Sequence, residues 1–251
     1  MTELFQYQTV KSVAFEIKFS NLFFIENKIG DFQFKIMNEF PDSEEVIQKQ
    51  FIISQTENYI KPEEIDPDTP TRKIWKFVSQ KGYNLSISTN FLSITSSIHK
   101  TYNNPNGEYK FRDVIELALQ SFSEILPASN IDIKRIGLRY IDECPLPNVL
   151  NNENYKKMYN TVLPLNRFKI ENTPRQQYIV QNQLENGTEI RFVEFKDNNA
   201  VRLDFDASKI NVKLSDCLVI TDQLYDAVHT EWEKTITDEF KQYMRTGELH
   251  C

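Results

Sequence analysis

Glycine is scarce in this chain, with six among 251 residues. A phosphate cradle made of clustered glycines needs close backbone approach and positive φ, which side chains obstruct. No GxGxxG, Walker-type or GxSxG spacing occurs, so the usual support for nucleotide-binding folds and α/β-hydrolases is missing. Cysteine is also rare: Cys144, Cys217 and Cys251 are odd in number, far apart and outside any CxxC spacing. That excludes a disulfide framework and a thiolate zinc site, and it points to a reducing, cytoplasmic setting. The three histidines, His99, His229 and His250, are scattered and form no HExxH. No metal and no cofactor are expected. Positive charge is the minority sign, with 29 Lys and Arg against 36 Asp and Glu, a formal net charge of -7. Bulk electrostatics therefore disfavour nucleic acid and anionic membrane surfaces as partners. No window approaches the ~18 apolar residues of a membrane span, and the opening MTELFQYQTVKS lacks the basic start and apolar run of a secretion signal.

What is abundant is apolar and aromatic side chain: 40% of residues are hydrophobic, including 18 Phe and 11 Tyr. That is ample material for a packed core. The most legible stretch is Ile131 to Pro145, IDIKRIGLRYIDECP, near the midpoint. Ile136, Leu138 and Tyr140 share one face, and Arg135, Gly137 and Arg139 the other, the period of two of a strand with unlike faces. Gly137 leaves open floor between the two guanidinium groups.

The remaining pattern is read in chain order. Thr9 to Ser20 is a strand, with Val13, Phe15, Ile17 and Phe19 on one face and Ala14, Glu16 and Lys18 on the other. Asn27 to Phe40 is a helix ended by Pro41. Val46 to Gln55 is a second strand, and ENYIKPEEIDPDTP a loop. Arg72 to Lys100 is a three-strand meander closed by the polar tract TYNNPNG. Lys110 to Leu126 is an amphipathic helix stopped by Pro127. After an Asn-rich stretch with a short helical turn around Tyr155 to Tyr159, three strands follow: PRQQYIVQNQLE, TEIRFVEFKD and AVRLDFDAS. An Asn186-Gly187 hairpin joins the first two. The last of them turns Arg202, Asp204 and Asp206 to one side. A helical region from Leu218 to Met244 completes the pattern, with Thr235 or Thr237 placed to cap a break in it. The expectation is an α+β protein, an antiparallel sheet in two related halves, 1–147 and 148–251, with amphipathic helices packed on its faces.

The segments AFEIKF, IWKFVSQKGYNLSIST, TYNNPNGEYKFRDVIELALQSF, RIGLRYID, RLDFD and AVHTEWEKTITDEF together resemble an uncharacterised, sporadically distributed family of prokaryotic proteins of about 250 residues, the size of one large domain or two small ones. RIGLRYID is the most specific piece. The resemblance brings no enzymatic activity. The family's scattered distribution implies a mobile, anti-phage-defence or toxin-linked locus, with a protein partner encoded nearby.

The candidate functional residues are the charges on strand faces: Glu16, Lys18, Arg135, Arg139, Arg191, Arg202, Asp204 and Asp206, with Glu189 beside Arg191. One reading is a solvated face held by cross-strand ion pairs. A sharper one is a concavity in which Arg135 and Arg139 grip a small anionic ligand or a partner's carboxylates in a forked geometry. The alternative is a metal-dependent triphosphate phosphohydrolase. FEIK resembles part of the opening strand of closed antiparallel tunnels that hydrolyse triphosphates, and Asp204 and Asp206 would supply further oxygen ligands for Mg²⁺. The expected function is that of a non-enzymatic binding or accessory protein.

Overall fold

The computed structural model describes residues 4–49, 71–98, 101–103, 110–126 and 131–249. The loop at 57–70, residues 50–55 of the second expected strand, His99, His250 and Cys251 lie outside the described residues.

Among the described residues, nine strands form one antiparallel sheet. In chain order they are β1 (Val10–Phe19), β2 (Asp42–Lys49), β3 (Thr71–Val78), β4 (Tyr83–Ser88), β5 (Phe91–Ser96), β6 (Asp132–Cys144), β7 (Gln176–Gln183), β8 (Glu189–Lys196) and β9 (Val201–Lys213). Their spatial order is β2-β3-β4-β5-β1-β6-β9-β8-β7. The midpoint strand β6 thus pairs with β1 on one side and β9 on the other, from Asp132↔Lys213 to Cys144↔Val201. Segments on both sides of residue 147 therefore share one sheet.

Alternation decides which face is covered. Val13, Phe15 and Ile17 of β1, Ile136, Leu138 and Tyr140 of β6, and Val201, Leu203 and Phe205 of β9 are all buried, whereas the intervening charged residues are exposed or half-buried. The helices α1 (Ile25–Ile36), α2 (Phe111–Ile125), α3 (Asn152–Met158), α4 (Cys217–Thr235) and α5 (Asp238–Thr246) bury their stripes in the same core cluster. On α2, Phe111, Ile115, Ala118 and Phe122 are fully buried; by transfer energetics a large apolar side chain in that position contributes about 2 kcal/mol. Leu126, the residue before Pro127, is extended, as the proline ring requires. The opposite sheet face is left to charged side chains.

Three expectations need correction. The second strand begins earlier, at Asp42, because its acids have partners across the ladder: Glu44 lies opposite Lys76, with their charged ends 3.3 Å apart. The ninth strand runs on to Lys213. Its alternation slips near the end, where Asn211 adopts φ 55° and Ile210 faces solvent, so the period of two no longer marks it. The helical region from Leu218 to Met244 is two helices. Ile236 is extended and pairs with Tyr159, and the Thr237 side chain accepts from Phe240 N at 3.2 Å, the anticipated cap.

Candidate functional site

The charged strand residues do come together, on the uncovered sheet face. Arg135 and Arg139 stand on the same side of β6, and the Arg135 guanidinium lies across Gly137, whose missing side chain leaves it room. Both arginines reach diagonally to β9. Arg139 donates from Nε and Nη2 to the two carboxylate oxygens of Asp204, at 2.8 and 2.7 Å. Arg135 Nη2 donates to Asp206 at 3.1 Å, and its Nη1 stands 3.6 Å from Glu16. Lys18 pairs with Glu16 at 3.2 Å, Arg191 with Asp204 at 3.6 Å, and Arg202 with Glu143 at 3.4 Å. Burial pushes the Asp206 carboxyl up while Arg135 and Arg139 oppose it, and the bond to Asp204 raises Arg139 further.

Glu16, Lys18, Arg135, Arg139, Arg191, Arg202, Asp204 and Asp206 therefore each already have a counter-charge, and Glu189 accepts from Gln181 at 2.7 Å. An anionic ligand would compete with Asp204 for the fork of Arg139, and a cation would compete with three guanidinium groups for the two aspartates. Partly exposed pairs of this kind contribute a few tenths of a kcal/mol each, at about the level of a solvated, self-neutralised surface. Among the described residues, no group of three His, Cys, Asp or Glu is placed to hold a metal ion.

Two further charges are buried in the core and satisfied there. Glu194 accepts from Tyr155 Oη, Thr161 Oγ1 and Val162 N at 2.9, 2.6 and 2.9 Å. Lys196 donates to the carbonyls of Ile170 and Thr173. They tie the segment after β6 to β8.

A different site lies on the helix-covered side, between the ends of β6 and β9, the helices α4 and α5, and the segment leading into β1. It is a cavity of about 410 Å³, within the range of small-molecule pockets. Rings line much of it: Phe5, Tyr102, Tyr140, Tyr225, His229 and Trp232. Tyr225, His229 and Trp232 recur at helical spacing on α4, so one helix face carries a ladder. His229 stacks between Tyr225 and Trp232, 5.8 Å from each, and Tyr102 stacks on Tyr225 at 4.1 Å. Tyr102 is held in place by donating to Asp222 at 2.7 Å, a carboxylate that Arg112 also grips.

Among these rings lies Asp142, 1% exposed. The inward face of β6 continues from Ile136, Leu138 and Tyr140 to this residue, so strand geometry carries an acid into the core. Thr9 Oγ1 donates to its Oδ1 at 2.6 Å, and Glu143 N donates to the Thr9 carbonyl at 2.8 Å, fixing the two segments side by side. The other oxygen, Oδ2, is equally buried and has no hydrogen-bond partner among the described residues. Burial pushes the carboxyl up to about 6, with the Thr9 bond pulling the other way. Unpartnered buried acceptors are rare because each costs about 1–3 kcal/mol.

Sequence reading missed this site. Tyr225, Val228 and Trp232 lie within the helical region from Leu218 to Met244, where three- and four-residue spacing marks a buried stripe and no cavity, and the inward row of β6 is read only as far as Tyr140. One more step of the same alternation reaches Asp142, an acid in an apolar register, and that was the available signal.

No protein-family model matches the chain, and no curated protein matches it.

Proposed function

We propose that the protein is a non-enzymatic binding or accessory protein whose ligand seat is the cavity beneath α4, and that the ligand is a small molecule carrying a planar ring. The observation that carries this reading is the bare Oδ2 of Asp142, held inside an aromatic chamber. A core built only for stability would pair or replace that oxygen, whereas binding sites retain such groups at a cost in stability. The ring ladder offers flat apolar surface, and the acid offers one directional polar contact, the usual division of labour in small-molecule sites.

The self-paired charges of the uncovered face favour this seat over the fork of Arg135 and Arg139. They also engage Glu16, Asp204 and Asp206, the carboxylates that the triphosphate hydrolase alternative calls on. The strand order supports the finer reading of two related halves. In each, a first strand (β1 or β6) and a helix lead to a meander that starts at the sheet edge and returns to pair with that first strand.

The test uses tryptophan emission. The chain has two tryptophans, and Trp75→Phe leaves Trp232 of the cavity as sole reporter. Titration with 2-phenylethanol, and separately with 2-phenylethylammonium, is expected to change that emission saturably with at least one of them. Val228→Phe, which fills the cavity from α4, should abolish the change. No saturable response to either compound, nor to guanosine, overturns the reading.

A further inference from the structure

We propose that the cavity selects an organic cation, a small ring-bearing amine whose ammonium group contacts Asp142 while its ring packs on the α4 ladder. This rests on the cavity being the ligand seat and adds the class of ligand.

Charge complementarity carries the argument. Asp142 has one neutral donor, Thr9, and no cationic side chain among its partners. The other charges lining the cavity are Glu233, Asp238, Lys241 and Arg245, so with Asp142 carboxylates outnumber side-chain cations by three to two. Lys241 is already paired with Glu233, and Arg245 lies over the Phe5 ring. What the inner end of the cavity lacks is positive charge. Aromatic rings attract cations through their quadrupole, and Tyr140 and Tyr225, 6.2 Å apart and tilted by 57°, both line the cavity with Asp142. Oδ2 is closed to water, so an ammonium reaches it by parting the side chains over it, and there it has a carboxylate oxygen to donate to and aromatic rings beside it, the arrangement by which desolvated cations are recognised. A neutral ring gains only the apolar contacts. A cation also favours the ionised acid, which burial alone disfavours.

A heterocycle with N–H donors, such as a nucleobase, could also reach Oδ2 but would not need the absence of nearby cations; it is the competing outcome. In the Trp75→Phe protein, titrations with 2-phenylethylammonium, 2-phenylethanol and guanosine separate the cases. The expected result is that the ammonium compound binds at least about tenfold more tightly than the alcohol, the scale of one cation–π or charged hydrogen bond. Asp142→Asn should erase that preference while retaining the wild-type circular dichroism. Equal affinity for amine and alcohol overturns the inference and leaves the cavity as a seat for neutral rings. Asp142-dependent binding of guanosine in preference to the amine overturns it in favour of a base-like ligand. No binding of any of the three overturns the ligand seat as well. Should Asp142→Asn not fold, Tyr225→Leu serves in its place: it removes a π face, and it must reduce amine affinity more than alcohol affinity or the inference fails.

Discussion

Arg135 Nη1 lies 2.6 Å from the point where a Cβ on Gly137 would stand. Gly137→Ala must therefore push the guanidinium aside, and with it the contact to Asp206. The displaced atoms are the far end of a flexible chain, and a strand alanine recovers some backbone entropy, so the net change in stability should stay within about 1 kcal/mol of zero. The coupling is the sharper readout. A double-mutant cycle between Arg135→Ala and Asp206→Ala, by urea unfolding, should show favourable coupling in the wild-type background and almost none in the Gly137→Ala background.

Arg139 and Asp204 form a two-pronged pair on the uncovered face. The aspartate side chain is 14% exposed and the arginine 45%, so solvent screens much of the attraction. Arg139→Ala should cost about 1 kcal/mol in urea unfolding, most of it from leaving the better-buried carboxylate with Arg191 alone, at 3.6 Å. Arg139→Lys keeps the charge and loses the fork, and should recover less than half of that. Full recovery would show that a point charge suffices.

Asp142 gives stability a distinctive pH dependence. Its carboxyl is pushed up to about 6 in the folded chain, from an ordinary 3.8. Between those values the native state holds a proton that the unfolded state has released, so this group's contribution declines as pH rises through roughly 4 to 6. Above that window the full penalty applies, about 3 kcal/mol for some two pH units. Asp142→Asn removes the titration. Calorimetric melting of both proteins should show the variant more stable at pH 8, with the difference closing toward pH 4. A pH-independent difference would contradict the burial of an ionisable acid there.

Glu194 is the opposite kind of buried acid, with three donors on it. Burial raises its pKa, and the bonds from Thr161, Val162 and Tyr155 resist that rise. Glu194→Ala strands all three donors and should cost about 3 kcal/mol or more. Tyr155→Phe removes one and should cost about 1 kcal/mol. Chemical denaturation of the two variants checks the ratio.

Thr237 caps α5, a helix that contributes Lys241, Met244 and Arg245 to the cavity wall. Thr237→Ala should cost about 1 kcal/mol. Because the rest of the sheet is untouched, hydrogen exchange should accelerate in α5 well before it does in β6.

The parts of the fold that the sequence made legible are those with unlike faces. β1, β6 and the first part of β9 alternate cleanly, and α2 carries an unbroken stripe, so both faces of the sheet and the shared side of Arg135 and Arg139 could be read directly. The start of β2 was hidden because DSEE resembles a loop until Lys76 is known to lie opposite. The end of β9 was hidden by the slip at Asn211. The charged set was legible as a set, but its pairing was not. Strand register sets Arg139 opposite Asp206 while its side chain reaches diagonally to Asp204, and register depends on long-range pairing that local alternation does not encode. The cavity was harder still. Its wall draws on residues from Leu4 to Arg245, and nothing local to either announces the other.

That wall has a consequence for the order in which the protein becomes competent. Phe5 and Thr9 come from the earliest described segment and Met244 and Arg245 from the last helix, with Tyr7 N bonded to the Met244 carbonyl. Every charged residue described for the outer face lies before the end of β9 at Lys213. The ring-lined chamber stays open on one side until some thirty further residues have followed, at the length scale of a helical hairpin. A chain ending within α4 would hold every charged residue of the outer face and lack the part of the cavity wall that α5 supplies.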